Sequence, residues 1–354
     1  MRRGTALLLA PLALGACLST VESGIEEAGL RRASLDHSLR EILASASDHL
    51  EAGDASGARD RYSSLAAAHP EDPWLAVLHQ EARYAAMEGD RGEFEANLRG
   101  SYRDAAEADP SPLSLLLAAR AEDDAFAALY LAERALALDP EFAWGHYARA
   151  HALVQLGRTP EAREEVERAV GVDASLLPAW RLLAWLRSQA GEQDAAIVTW
   201  RAWLEAAALD PRVLSAARVE AVCDLGVLLT RARRYEEAVS VLDEAALDSS
   251  GRSSSVLAAA AVEFGDLEGA LDAVGAARRC DSEQLLFIVQ EALLLERRAP
   301  HSDEAHAAWE AVVGHTAGAT DLSALLQRTR AEAHLARMVE EHREQSHPDE
   351  ARDG

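Results

Sequence analysis

Lysine is missing from this 354-residue chain: all 35 of its basic residues are arginine. That excludes chemistry built on a lysine amine, namely a P-loop lysine, a Schiff base and Ser-x-x-Lys acyl transfer. Cysteine is scarce as well, with only Cys17, Cys223 and Cys280, so neither a disulfide framework nor a paired Cys-x-x-Cys site is encoded. Aromatic residues make up 5% and β-branched residues are few, which leaves little material for sheet. There is no Gly-x-Ser-x-Gly elbow, His-Glu-x-x-His helix or EF-hand loop. Beyond the N-terminal segment, no stretch approaches the ~18 apolar residues that crossing a bilayer requires. Positive charge is also outnumbered, 35 residues against 60 acidic ones, for a net charge of −25. A field of that sign repels phosphate backbones and anionic lipid surfaces, so no nucleic-acid partner is expected.

What is present begins with an address. Residues 1–16 carry Arg2 and Arg3, an apolar run from Ala6 to Leu14, and then small residues, the anatomy of a secretory signal peptide. Leu14-Gly15-Ala16-Cys17 resembles the bacterial lipobox, which implies that Cys17 becomes the lipidated first residue of the mature protein. With Leu18 and not aspartate next, the resemblance implies an outer-membrane lipoprotein facing the periplasm. The anchor would be acyl chains, with the polypeptide itself in water. Residues 17–38 then read as the lipidated cysteine and a polar tether. Cys223 and Cys280 fall within helical periodicity and are expected to serve as small apolar residues.

The folded part is organised around Leu177 to Pro211. Leu177, Trp180, Leu183, Ala184 and Ala190 recur at helical spacing, Gly191-Glu192 interrupts, and Ala196, Ile197, Trp200, Trp203 and Leu204 resume the period. Two amphipathic helices joined by a tight turn cannot bury their apolar faces alone, so neighbours of the same kind are expected on both sides. The chain supplies them. The period recurs over 39–70, 75–110 (a long unit), 113–140, 143–174, 219–250, 251–282 and, with a widened turn, 286–315. Asp-Pro at 109, 139 and 210 closes hairpins, because proline lacks the N–H that helix continuation needs and biases the residue before it away from helix.

These residues carry a family resemblance. Trp180, Leu183, Ala184, Ala196, Trp200 and Trp203, and in the next unit Leu225-Gly226, Tyr235, Ala238, Leu242 and Ala245, are similar to the tetratricopeptide repeat pattern. The expected fold is all-α, an α-solenoid of about eight helix-turn-helix repeats over 39–315 with a C-terminal capping helix over 316–341, followed by a disordered acidic tail over 342–354. Small residues at Ala184, Ala196, Gly226 and Ala238 mark where paired helices cross. Trp180, Trp200, Trp203 and Trp309 fall at inter-helix positions and are expected in the core.

The resemblance also implies that the first helix of each hairpin lines a concave face. Carried over position by position, the partner-binding groove comprises His79, Arg83, Arg120, Trp144, Tyr147, His151, Arg181, Trp185, Gln189 and Arg231. Arginines offer bidentate carboxylate recognition there and aromatic residues offer flat anchors. The competing reading is that Trp144 and Tyr147 complete the packing and the arginines pair with neighbouring glutamates. Glu161, Glu164, Glu165 and Glu167 read as a solvated face, with Glu164 paired to Arg168. His146 with His151, and His301 with His306, lie five residues apart, about 140° around a helix axis. No metal or cofactor site is therefore expected.

The function that follows is a non-enzymatic adaptor, lipid-anchored in the bacterial cell envelope, holding a segment of an envelope protein. Lipoproteins of the resembled family assist secretion, pilus or polysaccharide-export assemblies. Two alternatives stand beside it: a glycan- or peptidoglycan-handling enzyme using unmotifed carboxylates such as Glu205 or Asp210, and a purely structural spacer. Replacing Cys17 by alanine is expected to move the protein from the membrane to the soluble fraction on cell fractionation; retention in the membrane would refute the lipid anchor.

Overall fold

Alanine- and leucine-rich stretches punctuated by Asp, Gly and Pro resolve into helices throughout the computed structural model, which describes residues 37–244, 251–300 and 302–346. The leader, Cys17 and the tether lie outside those residues. Among the described residues there are seventeen helices and no strand. They fall into two compact units that divide between Ala221 and Val222.

In the first unit five successive helix pairs follow one another. They are α1 (His37–Glu51) with α2 (Ala55–Ala68), α3 (Pro73–Ala85) with α4 (Arg91–Ala108), α5 (Pro112–Ala121) with α6 (Ala125–Leu138), α7 (Ala143–Gln155) with α8 (Thr159–Val172), and α9 (Leu177–Gln189) with α10 (Gln193–Leu209). Helix α11 (Ser215–Arg231) begins in the first unit and ends in the second. The second unit continues with α12 (Tyr235–Glu244), then α13 (Arg252–Phe264) with α14 (Leu267–Cys280), α15 (Leu285–Arg298) with α16 (Asp303–His315), and a last helix α17 (Leu322–Ser346).

Sequence chemistry sets the helix ends. The carboxylates of Asp54, Asp72, Asp90, Asp124 and Asp266 accept backbone N–H groups at the starts of their helices, each such cap worth about 1 kcal/mol. Asp109, Asp139 and Asp210, each before a proline, are the C-caps of α4, α6 and α10. In the α9–α10 turn, Gly191 adopts φ 76° while the N–H groups of residues 191 and 192 close back onto Ser188 and Arg187. Arg233 repeats that bonding pattern between α11 and α12 at φ 58°, a left-handed backbone that costs a side-chain-bearing residue roughly 1–2 kcal/mol.

Packing follows the small-residue rule. Ala184, Ala196 and Ala238 are wholly buried, and a Cβ on Gly226 would stand 2.8 Å from the side chain of Leu242. Trp180, Trp200, Trp203 and Trp309 are all core residues. Their polar edges are used: Trp180 Nε1 donates to the Ala174 carbonyl at 2.8 Å and Trp203 Nε1 to that of Leu177 at 2.9 Å.

One pair departs from the scheme. Helices α3 and α4 barely touch along their backbones, whereas α3 packs closely on α2 and approaches α5. Helix α4 is long, at 18 residues, in keeping with the overlong second unit. The long link between the two, residues 86–90, holds Gly89 at φ 88°.

Three expectations are corrected. Helix α17 continues to Ser346, so the segment from 342 begins as helix; only 347–354 lie beyond the described residues. Cys280, the last residue of α14, is exposed, while Cys223 is buried as expected. Glu165 is not on a solvated face but is buried, meeting His146 Nδ1 at 2.8 Å, Arg168 at 2.5 Å and Arg149 at 3.4 Å. A carboxylate can be buried there because several donors compensate it. Arg168 is drawn to Glu165 more closely than to Glu164, which stands 3.9 Å away.

In the second unit α17 covers the apolar face of α15 and α16 with Ala331 and Met338. Its register is held by Glu296 of α15, whose carboxylate accepts from Trp309 Nε1 at 3.2 Å and meets His334 Nδ1 at 2.9 Å and Arg337 at 3.4 Å. The His334 ring stacks on Trp309, 4.4 Å between centroids. Substituting Gly226 by valine forces branched carbon into the Leu242 side chain, and a loss of roughly 1–3 kcal/mol is expected in urea unfolding.

Candidate functional site

Helices α3, α5, α7 and α9, first helices of four of the hairpins in the first unit, each contribute to a shared interior. Trp74, Leu78 and Glu81 come from α3, Trp144 and Tyr147 from α7, and Leu177 and Arg181 from α9, all at helical i, i+3, i+4 or i+7 spacing. With Arg120 of α5 and Arg212 of the loop before α11 they surround a cavity of about 150 Å³. A neighbouring cavity of about 160 Å³ shares Arg120 and Tyr147 and adds His151 and Gln155.

The walls are an aromatic chain set edge to face. Trp74 meets Trp144 at 6.1 Å between centroids, and Trp144 meets Tyr147 at 5.8 Å. The Arg212 guanidinium lies 4.0 Å above the Trp74 ring. It is fixed there by Asp210 through a bidentate pair, Nε to Oδ1 at 3.0 Å and Nη2 to Oδ2 at 2.7 Å, with both side chains buried. This seat is good for a cation, because the ring face and the carboxylate both attract it.

Arg120 donates through Nε to Gln80 Oε1 at 3.1 Å and through Nη2 to Glu81 Oε1 at 2.9 Å, while Gln80 Nε2 donates to the Leu117 carbonyl at 2.8 Å. Arg181 pairs with Glu220. Of the two readings of the groove arginines, pairing within the chain describes Arg120 and Arg181, and Arg212 likewise holds an acid of this chain. Charge neutralisation in a half-dry interior accounts for it. Burial holds the Tyr147 phenol above its ordinary pKa. Desolvation and, second, Arg120 hold the His151 imidazole below its own.

Of the ten residues expected in the groove, the structure gathers Arg120, Trp144, Tyr147, His151 and Arg181. Trp144 both packs and lines the cavity, being buried yet exposed to its interior. The rest lie elsewhere. His79 is half-buried, its imidazole pKa lowered by burial and then by Arg83 and Arg59, and Arg83 sits 5.1 Å above the Tyr102 ring of α4. Trp185 is half-buried and Gln189 exposed at the end of α9, neither lining a cavity described above. Arg231 is exposed and belongs to the second unit.

Trp74 and Arg212 are additions to the expected set, and Asp210, expected only in the enzyme alternative, joins them as the partner of Arg212. Asp210-Pro211-Arg212 reads in sequence only as a helix stop, and nothing local tells that the arginine after it will reach Trp74. Asp210, one of the carboxylates named for the enzyme alternative, is buried with both oxygens on Arg212. Among the described residues no group of three His, Cys, Asp or Glu is placed to hold a metal ion.

Stacked two-helix units whose first helices face a common interior define an α-solenoid. A tetratricopeptide repeat family profile matches residues 119–186, the stretch from the end of α5 to α9 that carries all five gathered residues. On that match, residues 119–186 carry tetratricopeptide-type repeats, and the stacked helix pairs around them are of the same architecture. A search among curated proteins finds no match. Among solved structures the chain is similar to that of the APC/C hetero-tetramer Cut9-Hcn1, at 15% identity over 84% of this chain and 57% of that one, with a TM-score of 0.53. It is likewise similar to yeast Tom70, at 16% identity over 80% and 59%, with a TM-score of 0.50. It spans less than three fifths of either of those chains, and the likeness is one of fold.

The two kinds of arginine pair are expected to differ in worth. Arg212→Ala leaves Asp210 buried without its cation and is expected to cost about 3 kcal/mol in urea unfolding. Arg181→Ala, breaking a half-exposed pair, is expected to cost less than about 1 kcal/mol.

Proposed function

We propose that this protein is a non-enzymatic interaction adaptor whose first unit holds a segment of a partner protein on the inner face of α5, α7 and α9. The observation that carries the reading is the cavity where Trp144 and Tyr147, set edge to face, form an aromatic wall between Arg120 and Arg181. Tryptophan, tyrosine and arginine clustered around a small, partly dry recess are what anchors of protein interfaces are made of. The half-exposed pairs Arg120–Glu81 and Arg181–Glu220 are the kind that an incoming carboxylate can take over, because solvent already weakens them.

The same proposal places the adaptor in the bacterial envelope, lipid-anchored at Cys17 and facing the periplasm from the outer membrane, with a partner in a secretion, pilus or polysaccharide-export assembly. Support for that part comes from the pattern of residues 1–17.

A photo-crosslinking amino acid substituted for Tyr147 tests it in cells. The expected result is an adduct with one envelope protein, identified by mass spectrometry and lost when Arg181→Glu is added. Absence of any adduct, or an adduct indifferent to Arg181→Glu, would overturn the inner-face assignment.

A further inference from the structure

Helix α3 is in an unusual position for the first helix of a pair. It scarcely meets its own second helix, yet Trp74, Leu75, Val77, Leu78, Gln80 and Ala82 are all buried. Residues 75 and 77 point in nearly opposite directions around a helix, so α3 is enclosed from more than one side. One side is α2. The other is the interior surface already described: Trp74 lies against Trp144 and under Arg212, Gln80 against the Leu117 carbonyl, and Gln80 and Glu81 against Arg120.

Arg120 and Trp144 are the groups that a partner on the inner face has to reach, and α3 already occupies them. Its grip consists of an edge-on aromatic contact, a cation–π contact, amide hydrogen bonds and one ion pair whose Glu81 side chain is 47% exposed. Such contacts exchange readily for equivalent ones, at lower cost than parting an apolar core. The link to α4, residues 86–90, carries a left-handed glycine at 89 and gives the segment a place to pivot.

From this arrangement we infer that α1–α3 is a self-docked cover, that α3 is a resident stand-in for the ligand, and that the partner segment is an amphipathic helix of the same chemistry. The inference rests on the adaptor reading above and deepens it. The stand-in specifies its replacement. Trp74 and Glu81 are seven residues apart, two turns along one face, so the partner helix presents an indole to the Trp144 edge and, two turns later, a carboxylate to Arg120. A carboxamide beside that carboxylate, as Gln80 provides, meets the Leu117 carbonyl. The cover swings out about residues 86–90 as the partner helix enters.

The test uses the full chain and a fluorescent peptide with the sequence of residues 73–85. Wild-type protein is expected to bind the peptide weakly, because its own α3 holds the seat. Glu81→Arg sets two cations against each other, and is expected to free the seat and raise peptide affinity at least tenfold. Glu81→Gln, which keeps the shape and removes the charge, should fall between the two and serves if the arginine variant does not fold. A peptide carrying the Glu81→Arg change should bind none of them. Hydrogen exchange followed by mass spectrometry should show faster exchange in α3 of the Glu81 variants, with α5–α9 unchanged. Unchanged exchange in α3 overturns the cover, and faster exchange without any gain in peptide binding overturns the stand-in. An adduct at the Tyr147 position together with an unmoved α3 would sink this inference and leave the adaptor; a mobile α3 with no adduct would overturn the adaptor and, with it, the partner helix that α3 is inferred to stand in for.

Discussion

A pair of amphipathic helices that cross at alanine or glycine buries only the faces turned to each other, and the outer faces remain apolar until another pair covers them. Everything else in the structure follows from that obligation. It explains why Ala184, Ala196 and Ala238 have no exposed surface, since larger side chains at a crossing would part the helices. It explains why Trp200 and Trp203 stand edge to face, filling the wedge that small residues leave further along the helix. It also explains α17, whose Ala331 and Met338 close the second unit, as an end repeat has no successor to cover it.

The absence of lysine shapes the interior in a second way. Every interior cation is a guanidinium, planar, weakly hydrated and able to hold a carboxylate and a ring together. Arg212 does both, with Asp210 in its plane and Trp74 beneath it. An ammonium in that place would hold neither with two parallel hydrogen bonds. The result is an acidic protein whose first unit gathers Arg120, Arg181 and Arg212 beside Trp74, Trp144 and Tyr147, each arginine paired with an acid of its own.

What could be read from sequence divides along the same line. Helix pairs, their turns and the core tryptophans are local matters: period, Asp caps and Pro stops lie within a few residues of the feature that they specify, so the succession of helices and the final one were legible. The interior was half legible. Arg120, Trp144, Tyr147, His151 and Arg181 could be placed by repeat position because each sits at a regular site on an ordinary hairpin. Trp74 and Arg212 could not, because their meeting depends on how far successive pairs rotate, a quantity that no single repeat carries. The same holds for the pairing of Arg181 with Glu220 and for the burial of Glu165, where the compensating donors come from two helices and the local pattern shows only a charged face. Trp185 and Gln189 failed for a further reason: the cavity ends nearer the start of α9 than the repeat positions imply.

The contact between Trp74 and Arg212 has a kinetic meaning as well. Hairpins form from neighbours in the chain and do so quickly, because little loop entropy is spent on each. Bringing α3 to the loop before α11 closes a segment that spans most of the first unit, and such closure grows costlier as the logarithm of the loop it traps. It can be made only after the intervening pairs have stacked and set the curvature. In the first unit this contact is therefore the one with the largest loop to close, set against hairpins that each close only a short one.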